Sequence, residues 1–138
     1  MSADDARVEE LRRRKAQAKA GGGQARVSAQ HSKGKLTARE RLKILLDEDS
    51  FQEIGMFVQA STSAISETKK ALGDGVITGF GKINGDVLED SKALSAIIIN
   101  DYSVLAGTQG YYHHKKLDRI CETAEKQNLP AVSYTHLR

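Results

Sequence analysis

Cysteine, proline and aromatic side chains are scarce in this sequence. Among 138 residues there are one Cys, one Pro and no Trp, and aromatic residues make up 5%. A single cysteine excludes an internal disulfide framework and any zinc or iron–sulfur site built from several cysteines. No apolar run approaches the roughly 18 residues of a membrane span, and none follows the basic N-terminus as in a secretory signal. We therefore expect one domain, in the cytoplasm, with no membrane partner.

The chain as a whole has no large excess of charge of one sign, since it contains 21 Lys and Arg residues and 18 Asp and Glu residues. The charges are nevertheless distributed unevenly along the sequence. Residues 1–35 carry nine basic and four acidic side chains, so this basic arm has a charge of +5. The arm is too poor in apolar residues for a core. We expect a helix from Ser2 or Asp4 to about Ala20, then a flexible stretch after the glycines at residues 21–23. Two interpretations of the arm stay open. It is either a solvated helical extension or a positively charged region that attracts a polyanion such as a phosphorylated cofactor.

A nucleic-acid-binding module is a rival interpretation of the basic arm. Steep loss of DNA binding with salt would be its signature. The positive charge is confined to the arm and no nucleic-acid-binding motif is present, so we expect no nucleic-acid partner.

The chain after the arm begins with a helix and two strands. Thr37 and Glu40 form a capping-box pattern at the start of the helix. Residues 51–54 and 76–83 have the patterns of strands. The Asn-Gly pair that follows is a strong signal for a tight hairpin, so a return strand is expected to begin at residues 86–88.

The second half of the chain predicts a βαβ unit. The nearly continuous apolar run at residues 94–100 is typical of a strand buried on both faces. Residues 111–128 follow as a helix whose apolar face includes Cys121, and residues 129–132 resemble the start of another buried strand. A connection of this kind is almost always right-handed. The expected fold class is α/β or α+β.

The loop at residues 101–110 is the best candidate for a binding site. It joins the carboxyl end of the buried strand to the start of the helix, where free backbone N–H groups favour negative charge. Its glycines let a ligand approach the backbone closely, so a phosphate or a developing thioester oxyanion would fit. A tight strand-to-helix turn without a ligand explains the spacing equally well.

Common catalytic and metal-binding patterns are missing. His113 and His114 are adjacent, so on a helix they point about 100° apart and do not converge on one metal ion. Cys121 has no activating base, and we expect a buried, unreactive thiol. No Ser, His and Asp set has the context of a nucleophile elbow. We therefore expect no metal site, and the catalytic residues are not identified.

Three segments of the sequence occur in a specific order. KLTARERLKILLD followed by SFQEI lies at residues 35–54, GDGVITGFG at residues 73–81, and DYSVLAGTQG followed by HKKLDR at residues 101–119. In this order they resemble the carboxyltransferase (β) subunits of biotin-dependent acyl-CoA carboxylases, a family that includes the propionyl-CoA carboxylase β subunits. The resemblance covers about residues 33–131.

The resemblance implies a crotonase-like fold of stacked ββα units around a spiral sheet, of which this chain is the N-terminal portion with a helical extension. Such enzymes transfer a carboxyl group from carboxybiotin to the α-carbon of an acyl-CoA, with backbone N–H groups stabilising the thioester enolate. The implied cofactors and partners are biotin, as carboxybiotin on a partner, a coenzyme A thioester as substrate, a biotin carboxylase or biotin carrier subunit, and further copies of the chain in a homo-oligomer.

The resemblance also implies a set of acyl-CoA-binding residues. They comprise five loop positions and three cations that are candidates for the CoA phosphates: Ala106, Gly107, Thr108, Gln109, Gly110, Lys35, Arg39 and Arg41. A solvated helix face is an equal interpretation of Arg39 and Arg41.

Three parts of the chain are therefore expected. They are the partly helical or flexible arm at residues 1–35, the N-terminal part of the carboxyltransferase domain at residues 36–131, and a tail at residues 132–138. The tail departs from the family pattern and matches one translated frame of a sequencing-library adaptor, so we predict that it is not native. A Gly-Gly oxyanion loop is expected beyond the end of the chain, so the fragment alone should be inactive. The alternatives are an acyl-CoA decarboxylase or transcarboxylase subunit and a non-catalytic acyl-CoA-binding module.

Overall fold

The computed structural model describes residues 3–60, 71–107 and 110–134. In this part of the chain the elements are, in order, α1 (Ala3–Lys19), α2 (Gln24–His31), α3 (Ala38–Leu45), β1 (Gln52–Ile54), β2 (Val76–Lys82), α4 (Asp90–Ala93), β3 (Leu94–Asn100), a 3-10 turn (Leu105–Gly107), α5 (Tyr111–Lys126) and β4 (Ala131–Tyr134). None of the described helices is both long enough and apolar enough to span a membrane.

The four strands of the described chain form one sheet in which they lie in chain order. β1 pairs antiparallel with β2. β2 pairs antiparallel with β3 over its whole length, from Val76 opposite Asn100 to Lys82 opposite Leu94. β4 runs parallel with β3. The connection from β3 through α5 to β4 is therefore the βαβ unit that the sequence predicts.

The sheet is a middle layer between two apolar clusters, because successive side chains of a strand point to opposite faces. One cluster joins the sheet to α3 and contains Ala38, Leu42, Leu46, Ile77, Ile97 and Ile99. The other joins the sheet to α5 and contains Val76, Ala96, Ile98, Ile120 and Ala124. The prediction that β3 is buried on both faces is confirmed.

The start of α3 confirms the predicted capping box. The Glu40 N–H donates to Thr37 Oγ1 at 3.2 Å, and the Thr37 N–H donates to Glu40 Oε2 at 2.7 Å. His31 Nε2 donates to Glu40 Oε1 at 2.9 Å and so ties α2 to α3. The hydrogen bond from the Thr37 backbone is the main reason that the pKa of Glu40 is lowered to about 2.

The tight hairpin predicted after β2 is wrong. Asn84 does adopt the left-handed conformation of such a turn, with φ 56°. The Gly85 N–H, however, donates to Asp47 Oδ2 at 2.7 Å instead of starting a ladder. No strand forms at residues 86–88, and β3 begins only at Leu94. A contact that is distant in sequence has therefore overridden the local turn preference.

The arm is helical on both sides of its glycines. α1 confirms the predicted first helix, but the prediction of a flexible stretch after residues 21–23 is wrong, because α2 begins at the next residue, Gln24. The Gly22 N–H donates to Ser103 Oγ at 2.9 Å. A Cβ on Gly22 would lie 1.8 Å from the carbonyl oxygen of Ser103. Only glycine permits this approach, which attaches the arm to the loop after β3.

Two predictions of burial are also wrong. The four residues of β4 alternate between exposed and half-buried, because β4 is an edge strand of the described sheet. Cys121 is exposed. The buried face of α5 runs through His113, Lys116, Ile120 and Ala124. This spacing of three and four residues leaves Cys121 about 100° away from the neighbouring Ile120.

Candidate functional site

The loop between β3 and α5 starts from a fixed anchor. The Asp101 N–H donates to the Gly75 carbonyl at 2.8 Å. Asp101 Oδ1 accepts hydrogen bonds from the Ser103 N–H at 3.0 Å and the Ser103 hydroxyl at 2.6 Å. Asp101 and Ser103 are both buried. The loop therefore leaves the sheet in a conformation set by its own hydrogen bonds.

The middle of the loop is a left-handed turn. Leu105, Ala106 and Gly107 have φ values of 47°, 55° and 74°. The Gly107 N–H donates to the Val104 carbonyl at 2.9 Å and closes the turn. A residue with a Cβ is strained in this region by about 1–2 kcal/mol. Such strain is concentrated at binding and catalytic sites in proteins, where the surroundings hold it in place.

Three of the five predicted loop residues can be placed. Ala106 and Gly107 lie in the left-handed turn, and Gly110 is the N-cap of α5. Thr108 and Gln109 lie outside the described residues. The placed residues flank Thr108 and Gln109 in the chain, and two of them, Gly107 and Gly110, carry no side chain that could block a ligand.

The N-terminus of α5 is occupied by a carboxylate of the protein itself. Asp74 Oδ2 accepts a hydrogen bond from the His113 N–H at 2.9 Å. A Cβ on Gly110 would lie 3.1 Å from the same oxygen. The expectation that the N–H groups at the helix start are free for an anionic ligand is therefore wrong for His113. Asp74 already supplies the negative charge that the helix dipole favours.

Two basic side chains of α5 are buried: His113, which the sequence placed on the apolar face of the helix, and Lys116, which sequence analysis missed. His113 Nδ1 donates to the carbonyl oxygen of Asp74 at 3.0 Å, and burial lowers the pKa of His113, which favours the neutral ring. Lys116 Nζ donates to the carbonyl oxygens of Gly73, at 2.8 Å, and Val76. Burial lowers the pKa of Lys116 to about 8. Both side chains tie α5 to the turn that precedes β2.

Two of the three predicted cations lie near the start of the loop. Lys35 and Arg41 line a small cleft together with Tyr102 and Ser103 of the loop. The guanidinium carbon of Arg41 lies 5.9 Å from the centre of the Tyr134 ring in β4. Positive charge therefore stands beside the loop, contributed by α3 and the segment before it.

Arg39 is separated from this cleft. It lines a larger groove of about 1330 Å³ between α1, α3 and the segment around β1. Its guanidinium donates to both carboxylate oxygens of Glu53, at 2.5 and 2.9 Å. The side chains of Arg39 and Glu53 are 22% and 7% exposed. Arg39 does have an acidic neighbour, as expected for a solvated helix face, but it is only partly exposed to solvent.

The fold is shared by solved structures of a long-chain acyl-CoA carboxylase and of transcarboxylase 12S. The chain superposes on a single-chain, multi-domain long-chain acyl-CoA carboxylase with a TM-score of 0.87 at 32% identity, over 97% of this chain and 14% of that one. It superposes on the transcarboxylase 12S structure, which contains methylmalonyl-CoA, with a TM-score of 0.84 at 34% identity, over 96% and 24% of the two chains. The architecture is thus part of the crotonase-like fold, as the resemblance implies.

Residues 29–137 match the Carboxyl transferase domain family. The chain is 43% identical over 126 residues to the propionyl-CoA carboxylase beta chain of Roseobacter denitrificans, and 39% identical over 127 residues to the methylmalonyl-CoA decarboxylase subunit alpha of Veillonella parvula. Each alignment covers 91% of this chain and 23% or 24% of the relative. The chain belongs to the Carboxyl transferase domain family and spans about a quarter of the length of these relatives.

Proposed function

We propose that this chain is part of an acyl-CoA carboxylase carboxyltransferase, which transfers a carboxyl group from carboxybiotin to the α-carbon of an acyl-CoA. The observation that carries this proposal is the 43% identity to a propionyl-CoA carboxylase beta chain over 91% of the chain. The decarboxylase alternative rests on a lower identity of 39%. Carboxybiotin, when bound, supplies the carboxyl group, and this chain contributes the acyl-CoA side of the site.

The loop between β3 and α5 binds the acyl-CoA through its backbone in this proposal. Support comes from the strained turn at residues 105–107 and from the two glycines, which allow close approach. Lys35 and Arg41 lie at the start of the same loop and provide charge for the CoA phosphates. Arg39 is the third proposed cation, and it acts at greater distance because Glu53 already holds it.

The partners in this proposal are a biotin carboxylase, a biotin carrier and further copies of the chain. Support for assembly comes from the similar transcarboxylase 12S structure, which is a hexamer. A cytoplasmic location stays a prediction. So does the division at residues 1–35, 36–131 and 132–138, whose second boundary falls inside strand β4. The isolated chain is proposed to be inactive, and measurable carboxylation of propionyl-CoA by it would contradict that statement.

A substitution in the loop tests the binding site. Gly107→Val should weaken propionyl-CoA binding by about tenfold or more, since the new side chain blocks the backbone and opposes φ 74°. Isothermal titration calorimetry on the wild type and the variant measures this change. Asn128→Val is the matched control, because it places the same side chain on a left-handed backbone, with φ 53°, at the other end of α5. Equal affinities for the two variants would show that the loop is not the binding site.

A further inference from the structure

Two segments with left-handed backbone precede β2 and α5 in the chain. In the turn before β2, Gly73, Asp74 and Gly75 have φ values of 92°, 50° and 74°. Residues 105–107 of the loop are left-handed as well. A non-glycine residue remains in this region only where its surroundings hold it there. The turn contacts the first turn of α5 through Asp74, and α5 follows the loop in the chain.

Asp74 and His113 are joined by two hydrogen bonds. The Asp74 carboxylate accepts from the His113 N–H, and the Asp74 carbonyl accepts from His113 Nδ1, at 2.9 and 3.0 Å. The two residues are 6% and 0% exposed. The carboxylate also packs against the backbone of Gly110, where a Cβ would meet it at 3.1 Å. This pair therefore fixes the first turn of α5 at the point where the loop enters it.

We propose that Asp74 and His113 are positioning residues of the acyl-CoA loop, which hold the backbone of Gly110 and of residues 105–107 through the first turn of α5 without contacting the ligand. The inference rests on the proposed function and deepens it. Because the Asp74 carboxylate already neutralises the N-terminus of α5, the anionic groups of CoA are directed to the cleft of Lys35 and Arg41 instead.

The protonation of His113 gives the pair a spectroscopic signature. A carbonyl oxygen only accepts, so the neutral ring carries its proton on Nδ1. Nε2 is buried and has no hydrogen-bond partner in the described part of the chain.

A second proton on the ring would create a buried charge. On α5 it would face Lys116 and His114, and from the turn before β2 it would face Asp74. Beyond Lys116 lie Glu53 of β1 and Arg39 of α3. The ring should therefore stay in the Nδ1–H form at pH values where an ordinary histidine is half protonated.

The experiment compares variants of the full 138-residue chain. His113→Asn keeps an N–H donor at the position of Nδ1, and His113→Leu removes it. Asp74→Asn keeps an acceptor of the same size, and Asp74→Ala removes it. Amide hydrogen exchange is measured at residues 105–107 and 110–114 and in β2 and β3, without ligand, and CoA affinity is measured separately.

The leucine and alanine variants should speed exchange in the loop and the first turn of α5 by about tenfold, with less than about twofold change in β2 and β3. The conservative variants should restore both exchange and CoA affinity to within about threefold of the wild type. ¹⁵N shifts of the wild-type His113 ring should show the Nδ1–H form.

Equal acceleration throughout the sheet, failure of His113→Asn to rescue, or an Nε2–H ring would each overturn the positioning role. A wild type that does not bind CoA would overturn the proposed function, while the ligand-free exchange and ring spectra would still decide whether the pair positions the loop.

Discussion

Helix α1 and strand β3 are stabilised in opposite ways. Of the 17 residues of α1 only Ala18 is buried, whereas six of the seven residues of β3 are buried. α1 is supported by exposed ion pairs such as that between Arg13 and Glu10, at 2.8 Å. β3 is hydrogen-bonded on both edges and packs into both apolar clusters. Because exposed ion pairs contribute little to stability, the fold depends on the sheet.

The largest effect is expected in the sheet, for Gly79→Val. A Cβ at Gly79 would lie 2.2 Å from the carbonyl oxygen of Gln52 and 2.6 Å from the Phe51 ring, so β1 must move away from β2. We expect a loss of about 3 kcal/mol in the free energy of unfolding, measured by urea denaturation. Gly34→Val is the comparison, because no atom lies within 4 Å of a Cβ there and only the left-handed backbone, with φ 68°, opposes the new side chain, at about 1–2 kcal/mol. Equal losses for the two variants would contradict this packing.

An intermediate effect is expected for Glu53→Gln. The change leaves the guanidinium of Arg39, which is 22% exposed, without its charged partner. We expect a loss of about 2 kcal/mol in the free energy of unfolding. Glu10→Gln, the same substitution in α1, is the matched comparison. If Glu53→Gln and Glu10→Gln lowered the free energy of unfolding equally, the partly buried ion pair of Arg39 and Glu53 would be no more stabilising than the exposed pairs of α1.

A smaller, pH-dependent effect is expected from Lys116. Its folded pKa of about 8 is below the ordinary 10.5, so between these values the unfolded chain binds more protons and stability rises with pH. From pH 8 to 9 the wild type should gain about 1 kcal/mol relative to Lys116→Met. Lys115→Met, on the exposed side of α5, should show no such change. Thermal unfolding at both pH values provides the measurement. If the stability difference between the wild type and Lys116→Met were the same at pH 8 and pH 9, the lowered pKa of Lys116 would be contradicted.

The smallest effect is expected for Glu10→Gln. Hydrogen bonds from Arg13 and then Arg14 lower the pKa of Glu10 to about 2, but all three side chains face solvent. Solvent screens such pairs, so we expect no measurable change in Tm at low or high salt. A clear drop in Tm at low salt would show that the ion pairs of α1 matter to the fold.

The sequence predicted most of the sheet and its helices because their signals are local. The alternation in β2, the apolar run in β3 and the capping box of Thr37 and Glu40 each lie within a few residues. The prediction of a return strand after β2 failed because Asp47, which is distant in the chain, accepts a hydrogen bond from Gly85. The prediction of a flexible stretch in the arm failed for a similar reason, since the Gly22 N–H donates a hydrogen bond to Ser103, 81 residues away.

The candidate site was only partly predictable. Its loop was found from the glycines and the strand-to-helix position, but the Asp74 contact spans 39 residues and has no local signal. Lys116 was missed because charged residues are rarely buried. Its spacing of three residues from His113 and four from Ile120 was the available signal, since these positions share one helix face.

The binding role of the loop is the central claim, and an NMR titration tests it most directly. The ¹⁵N-labelled chain would be titrated with propionyl-CoA, with the free acyl carboxylate as control. We predict that chemical-shift changes concentrate in residues 105–110 and at Lys35 and Arg41, and that the control causes none. Chemical-shift changes confined to α1, or none at a large excess of propionyl-CoA, would contradict the binding role of the loop.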